Sequence, residues 1–203
     1  SNKCKNYNIT NIILAAGQSK RMEETNKLLI KIGKKTMIDK IVDTSLKSSA
    51  SDTIVVLGFE SERVKESLSN KKILTINNKD YNKGQSTSLQ CGISGLSEDC
   101  DAAVILLADM PNINYQLINK LIENYDPDSN NSIIIPTFNG KKGNPILIDR
   151  EFFPDILSIK GDKGAKDIIN ANKNSIKKIP HKDSSVLNDI DTKKDLSTYL
   201  NKP

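Results

Sequence analysis

The sequence predicts a three-layer α/β fold: a mainly parallel, twisted sheet with helices on both faces. Three observations predict it. Short β-branched apolar runs alternate with stretches of helical periodicity along most of the 203 residues. One run, AAVILLA at residues 102–108, is apolar on both faces, as suits a central parallel strand covered from each side. The apolar fraction of 36% beside 27% charged residues fits one well-buried globular domain rather than a disordered or membrane-embedded chain.

The elements follow in order. Residues 10–15 read as the first strand. Met37, Ile38, Ile41, Val42 and Leu46 recur at helix spacing and mark one face of an amphipathic helix. A second strand over 53–57 leads to a short charged helix over 61–68. A third strand over 73–76 leads to a helix over 86–96. The apolar strand at 102–108 is followed by a helix carrying Leu117, Ile118, Leu121 and Ile122, and then by a strand at 133–135. This β-α-β-α order implies crossover connections between parallel strands. After Pro136 the pattern changes. A short strand over 145–148, glycine-bearing loops at 140–144 and 161–164, and short helices predict a small extension that forms a second wall of a cleft. No repeat, low-complexity tract or linker divides the chain. Residues 1–203 therefore read as a single domain, with a first part over about 8–110 and a second over about 111–203.

Composition narrows the function. The net charge of +5 comes from lysines spread along the chain, which predicts a solvated surface and no nucleic-acid partner. Cys4, Cys91 and Cys100 lack C-x-x-C spacing, which favours free thiols over disulfides or a zinc site. No leader or membrane-length apolar run is read, so a cytoplasmic chain without a membrane partner is expected. Cys91 is expected to pack within its helix, and His181 to lie on the surface.

Three features fall where strands end, the usual ligand edge of an open α/β sheet. The first is LAAGQSKRM, with Leu14, Ala15, Ala16 and Gly17 turning out of the first strand and Arg21 and Lys27 adding positive charge. A small-residue turn leaves backbone N–H groups open to an anion. Neither the G-x-x-x-x-G-K-[ST] nor the G-x-G-x-x-G pattern is present. The second is LLADMP, where Asp109 ends the most apolar strand. A carboxylate there is costly unless it faces solvent or a cation. It suits a hard-metal ligand such as one for Mg²⁺, or else a helix N-cap. The third is NDIDT, whose Asp189 and Asp191 share one face of a short extended segment, with Thr192 opening a last helix. GQSTSL adds Gly84, Gln85, Ser86 and Ser88 at a helix start, where base or ribose contacts or simple capping are both open.

Together LAAGQSKRM with Lys27, GQSTSL, LLADMP, GNPI, GDKGA and NDIDT, in this order, resemble the MobA-like nucleotidyltransferases, and within them the molybdenum cofactor cytidylyltransferases. The resemblance implies a Rossmann-like nucleotidyltransferase domain whose first part binds nucleotide and whose second part binds the acceptor. It implies transfer of CMP from CTP to the phosphate of the molybdenum-pterin cofactor, with release of pyrophosphate. Arg21, Lys27, Asp109 and Asp191 become catalytic, with Asp109 and Asp191 as Mg²⁺ ligands. Leu14, Ala15, Ala16, Gly17, Arg21, Lys27, Gly84, Gln85, Ser86, Ser88 and Asp109 become nucleotide-binding. Gly143, Asn144, Pro145, Gly161, Asp162, Gly164 and Lys166 become acceptor-binding. A monomer that hands its product to a molybdenum hydroxylase is expected.

Three departures stand out. Glu23 occupies a position where relatives usually carry Gly, and the Arg21–Lys27 interval is one residue longer than expected for the cytidylyl branch. Asn144 stands where many relatives have His. Choice of CTP over GTP rests on Ala16, whose methyl would reduce room for a purine where guanylyl-transferring relatives have Gly. Competing readings are a GTP-using relative, a sugar- or methylerythritol-phosphate cytidylyltransferase, a non-catalytic cofactor-binding accessory protein, and a plain dinucleotide-binding module.

Overall fold

The computed structural model describes residues 6–17, 26–69, 71–161 and 163–187. Ten strands and six α-helices are formed within them. They are β1 (Ile9–Ala15), β2 (Lys31–Ile32), β3 (Lys35–Thr36), α1 (Met37–Lys47), β4 (Asp52–Leu57), α2 (Ser61–Ser67) and β5 (Leu74–Asn77), followed by α3 (Gln85–Ser94), β6 (Ala102–Leu107) and α4 (Tyr115–Asn124). The remainder are β7 (Ile133–Phe138), β8 (Lys141–Lys142), β9 (Ile146–Asp149), α5 (Phe153–Leu157), α6 (Lys166–Ala171) and β10 (Ile176–Pro180).

The main sheet has eight strands in the order β10-β7-β9-β6-β1-β4-β5, with β8 pairing outside this path against β7. β1 pairs in parallel with β4 and β6, and β4 with β5. β9 runs antiparallel between β6 and β7. The residues after Pro136 enlarge the same sheet, and Lys142, Gly143, Asn144, Gly164 and Lys166 among them line one wall of a cleft. β7 also runs on through Pro136 to Phe138, because it pairs there with β10 and β8.

Strand alternation sends successive side chains to opposite faces, and the core divides accordingly. Ile13, Val55 and Leu106 pack with α1 and α4 residues such as Ile41 and Leu121. Ile12, Val56 and Ile105 pack on the other face with Leu89 of α3, Ile156 of α5 and Ile169 of α6. Thus the helices cover both sides. In α1, Met37, Ile38, Ile41 and Val42 are buried as expected, but Leu46 is 40% exposed and Ser45 takes the buried position. Asn11 explains that exchange. It is buried in the middle of β1, and its amide donates to Ser45 O (3.2 Å) and Ser48 Oγ (3.0 Å), tying the end of α1 to the sheet. At the edge opposite the carboxyl ends of the parallel strands, Tyr125 donates to the Asp149 carboxylate. Burial, and then that carboxylate, push the phenol well above its ordinary pKa.

Candidate active site

The chain steps outward from β1 through β4 to β5 on one side, then returns to place β6 on the other side of β1. This reversal opens a crevice beyond the carboxyl ends of β1 and β6. Ala108 N donates to Leu14 O at 3.1 Å, which folds the residues after β6 onto the end of β1. Asp109 follows in the turn. It is not the N-cap of α4, which is Asn114, whose Oδ1 accepts from Leu117 N at 2.9 Å.

Lys27 comes to the same place from a single 3₁₀ turn, Lys27–Leu29. The Asn26 side chain caps that turn by accepting from Leu28 N at 3.1 Å. Lys27 is only 8% exposed, so it is no surface cation. Its ammonium donates to Asp109 Oδ2 at 3.2 Å. Arg21, Glu23, Asp162, Asp189, Asp191 and Thr192 lie outside the described residues.

Among the described residues nothing lies within 4 Å of a β-carbon placed on Gly17. Ala16 differs from expectation. A β-carbon on Gly58 would lie 2.8 Å from the Ala16 methyl and 2.7 Å from Ala16 O. The methyl therefore faces Gly58 at the end of β4, and Ala16 is 2% exposed. Its bulk cannot set the room for a base in the open crevice.

The start of α3 is held by a residue that the sequence did not single out. Asn78, 2% exposed, donates from Nδ2 to Thr87 Oγ1 and Ser88 Oγ, each at 2.9 Å. Its own N–H donates to Leu57 O at 2.6 Å. One carboxamide thus fixes the α3 entry loop to the end of β4. Ser86 turns the other way, donating through Oγ to Gly161 O at 2.5 Å. Both hydroxyls expected to read a nucleotide already have partners within the chain, and both serines are buried. Ser86 and Ser88 are positioned to hold the loop, while Gly84 and Gln85 occupy its tip. Polar residues after a strand were the available signal for Asn78, but INNKD offers two adjacent asparagines and no way to choose.

Beside this crevice lies a cleft of about 520 Å³. It gathers Gly143, Asn144, Gly164 and Lys166, four of the expected acceptor residues, with Leu14 and Gln85 from the expected nucleotide set. Pro145 follows Asn144 through a cis peptide bond into β9. Gly143 is small for a reason internal to the chain. A β-carbon there would meet Val186 O at 2.3 Å, and Asn144 N donates to that same oxygen at 2.9 Å. Gly161 carries the carbonyl that Ser86 binds, and Gly164 sits 3.4 Å from Gln85 Oε1, measured from an added β-carbon. The loop between α5 and α6 is anchored further by Gln90, whose amide donates to Ile159 O at 2.6 Å.

Two minor expectations resolve differently. His181 is not a surface side chain. It is largely covered, with Nε2 3.5 Å from Asp183 Oδ1 and its N–H donating to Thr137 O at 2.7 Å. Cys91 does pack in α3, half-buried, and burial pushes its thiol pKa up, which leaves it a poor nucleophile. No described helix is long and apolar enough to cross a membrane.

The model of the MobA-like NTP transferase domain matches residues 11–176, the span that contains the switch point, the Lys27–Asp109 contact and the cleft. The chain belongs to the MobA-like NTP transferase family. Among MobA-like and related proteins, the chain is 29% identical over 191 residues to the purine catabolism protein PucB of Bacillus subtilis, covering 89% of this chain and 90% of PucB. It is 31% identical over 162 residues to the bifunctional protein GlmU of Clostridioides difficile, covering 78% of this chain but only 34% of GlmU. It thus spans about a third of the GlmU length. The structure of Rv0371c from Mycobacterium tuberculosis superposes with a TM-score of 0.87 at 21% identity, covering 98% of this chain and all of that one. Rv0371c has also been solved in complex with manganese. These likenesses agree with the Rossmann-like nucleotidyltransferase fold built above.

Proposed function

We propose that this member of the family transfers the cytidylyl group of CTP to the phosphate of a molybdenum-pterin cofactor, releasing pyrophosphate. The product would be the cytosine dinucleotide cofactor passed to a molybdenum hydroxylase. The observation that carries the transferase reading is the Lys27–Asp109 contact, a covered cation and a carboxylate meeting at the β1/β6 crevice. The pterin acceptor is supported by GNPI and GDKGA, of which Gly143, Asn144, Ile146, Gly164 and Ala165 line one cleft next to that crevice. The nucleotide would occupy the first part of the chain, about 8–110, and the acceptor the second, about 111–203. The protein would act as a cytoplasmic monomer, a reading that rests on composition and resemblance alone.

The chemistry balances without a covalent enzyme intermediate. An oxygen of the acceptor phosphate forms a bond to the α-phosphorus of CTP. The bond from that phosphorus to the α–β bridging oxygen breaks, and pyrophosphate departs with the electron pair. Such in-line transfer needs positioning and charge neutralisation more than acid–base groups. Lys27 would neutralise the departing pyrophosphate, together with Arg21. Gly17 would let the backbone approach the triphosphate, and Gly84 and Gln85 would orient the nucleoside.

The donor set suits Mg²⁺. Among the described residues no three His, Cys, Asp or Glu side chains cluster as a metal cage. One part-exposed carboxylate at the crevice, Asp109, matches an ion that takes most of its ligands from phosphates and water. Asp109 and Asp191 would hold it. When bound, Mg²⁺ supplies charge neutralisation across the phosphate oxygens.

A second reading, transfer from GTP, gains from one observation: the Ala16 methyl faces Gly58 and does not narrow the crevice. Thermal shift with Mg²⁺ and each of CTP, GTP, ATP and NAD separates these readings. A ligand at a hundredfold its Kd adds about 2.7 kcal/mol of stability. Stabilisation by CTP is expected. Stabilisation by GTP alone would move the assignment to the guanylyl reading, and silence toward every triphosphate would end the transferase proposal.

A further inference from the structure

The lining of the cleft has a charge pattern that the motifs do not contain. Lys142 and Lys166 both line it, and among the described residues no Asp or Glu does. The rest of its polar rim is carboxamide, from Gln85, Asn144 and Asn170. Its floor is aliphatic, from residues such as Leu107, Ile135 and Ile169. Neither lysine has an ion pair among the described residues, whereas neighbouring Lys163 reaches Asp167 at 3.4 Å.

Lys142 is presented by a short hairpin. β7 and β8 pair Phe138 with Lys141 and Thr137 with Lys142, across a two-residue turn of Asn139 and Gly140. Both turn residues have positive φ, at 50° and 78°, which is the turn whose twist matches the flanking strands. Alternation along β8 sends Lys141 and Lys142 to opposite faces, and only Lys142 lines the cleft. The next residue, Gly143, is packed on Val186 O, so the hairpin is held at both ends.

We propose that Lys142 is a specificity-determining residue that, with Lys166, selects an anionic acceptor: a heterocycle whose body lies on the aliphatic floor and whose acidic group meets the two ammonium groups. The carboxamides would read the ring edges. This deepens the transferase reading and rests on it for the identity of the acceptor, though not for the charge selection.

Two measurements separate the two claims. The first is binding of pterin-6-carboxylate and of its neutral 6-hydroxymethyl analogue to the full chain, followed by pterin fluorescence. The wild type should prefer the carboxylate, Lys142→Gln should weaken it on the order of tenfold, as expected for losing a charge-assisted contact, and Lys142→Arg should restore it. Lys141→Gln, on the other face of β8, should bind like the wild type. Equal binding of both pterins, no binding of the carboxylate, or an unchanged Lys142→Gln would overturn the proposal. The second is pyrophosphate release with Mg²⁺, CTP and the molybdenum-pterin cofactor. Lys142→Gln should raise the KM for the cofactor by a similar factor and leave the KM for CTP unchanged. If the wild type selects the anionic pterin through Lys142 but releases no pyrophosphate, the transferase reading fails and the charge selection stands. If turnover is normal and the cofactor KM ignores Lys142, the charge selection fails alone.

Discussion

Lys27 Nζ lies 3.2 Å from Asp109 Oδ2, although 82 positions separate them in sequence. One side chain follows the turn out of β1, and the other follows β6. Both are largely covered, at 11% and 23% side-chain exposure. Two opposite charges kept out of water at a switch point contribute little net stability, because desolvation offsets much of their attraction. Their placement is better explained by the proposed roles, in which Lys27 would face phosphate and Asp109 would hold a metal ion.

That account predicts large kinetic effects with an intact fold. Asp109→Asn and Lys27→Ala should each lower kcat by about 10²- to 10³-fold, the usual loss when one preorganised electrostatic contact is removed. Circular dichroism should be unchanged. Pyrophosphate release from CTP checks both variants, and near-normal turnover in either would remove it from the catalytic set.

Asn78→Ala should act through the loop it ties. It removes two side-chain donations and leaves Thr87 and Ser88 without that partner. A loss of about 1–3 kcal/mol is expected for buried polar groups deprived of a partner, read as a lower midpoint in urea. The KM for CTP should rise as well, because the α3 entry loop carries Gly84 and Gln85.

Gly143→Ala tests the close approach to Val186. The added methyl would meet a backbone oxygen, which cannot move aside as a flexible side chain can. Overpacking of this kind costs about 1–3 kcal/mol. The KM for the acceptor should rise while CTP binding holds.

Ala16→Gly should leave the base preference nearly unchanged. Its methyl is turned to Gly58, so removing it opens no room in the crevice. The ratio of kcat/KM for CTP to that for GTP should shift by less than about tenfold, the equivalent of 1.4 kcal/mol. A larger shift would return Ala16 to the role the sequence suggested.

Asp43 provides a pH test away from the site. Burial pushes its carboxyl pKa up, but hydrogen bonds from Lys35 (2.6 Å) and Lys71 (2.7 Å) outweigh that and hold it below the ordinary aspartate value of 3.8. A lowered folded-state pKa contributes stability that is full above the unfolded value and is lost as pH falls through the folded one. Asp43→Asn should therefore lower Tm at pH 7. The gap from wild type should close in acid below about pH 3.8. A gap that stays constant across that window would contradict the linkage.

Much of this was legible in the sequence, for physical reasons. AAVILLA announced a strand covered on both faces, and β6 is buried at the centre of the sheet. Met37, Ile38, Ile41 and Val42 announced the inner face of α1. The strand ends carried Lys27 and Asp109 in recognisable surroundings. What stayed hidden depends on contacts between distant segments. The insertion of β9 antiparallel beside β6 leaves no mark on residues 146–149, since a short apolar run reads the same in either direction. The orientation of Ala16 depends on Gly58, 42 positions later, and the engagement of Ser86 depends on Gly161. Lys142 looked like one lysine among many until the Asn139–Gly140 turn aimed it into the cleft.

The central claim is nucleotidyl transfer at the Lys27–Asp109 crevice. Its most direct test is incubation of the protein with Mg²⁺, the molybdenum-pterin cofactor and CTP labelled at the α-phosphate. The account predicts that label moves to the cofactor in step with pyrophosphate release, and that Asp109→Asn abolishes both. Label remaining in CTP with the wild-type protein, or moving equally well with Asp109→Asn, would contradict it.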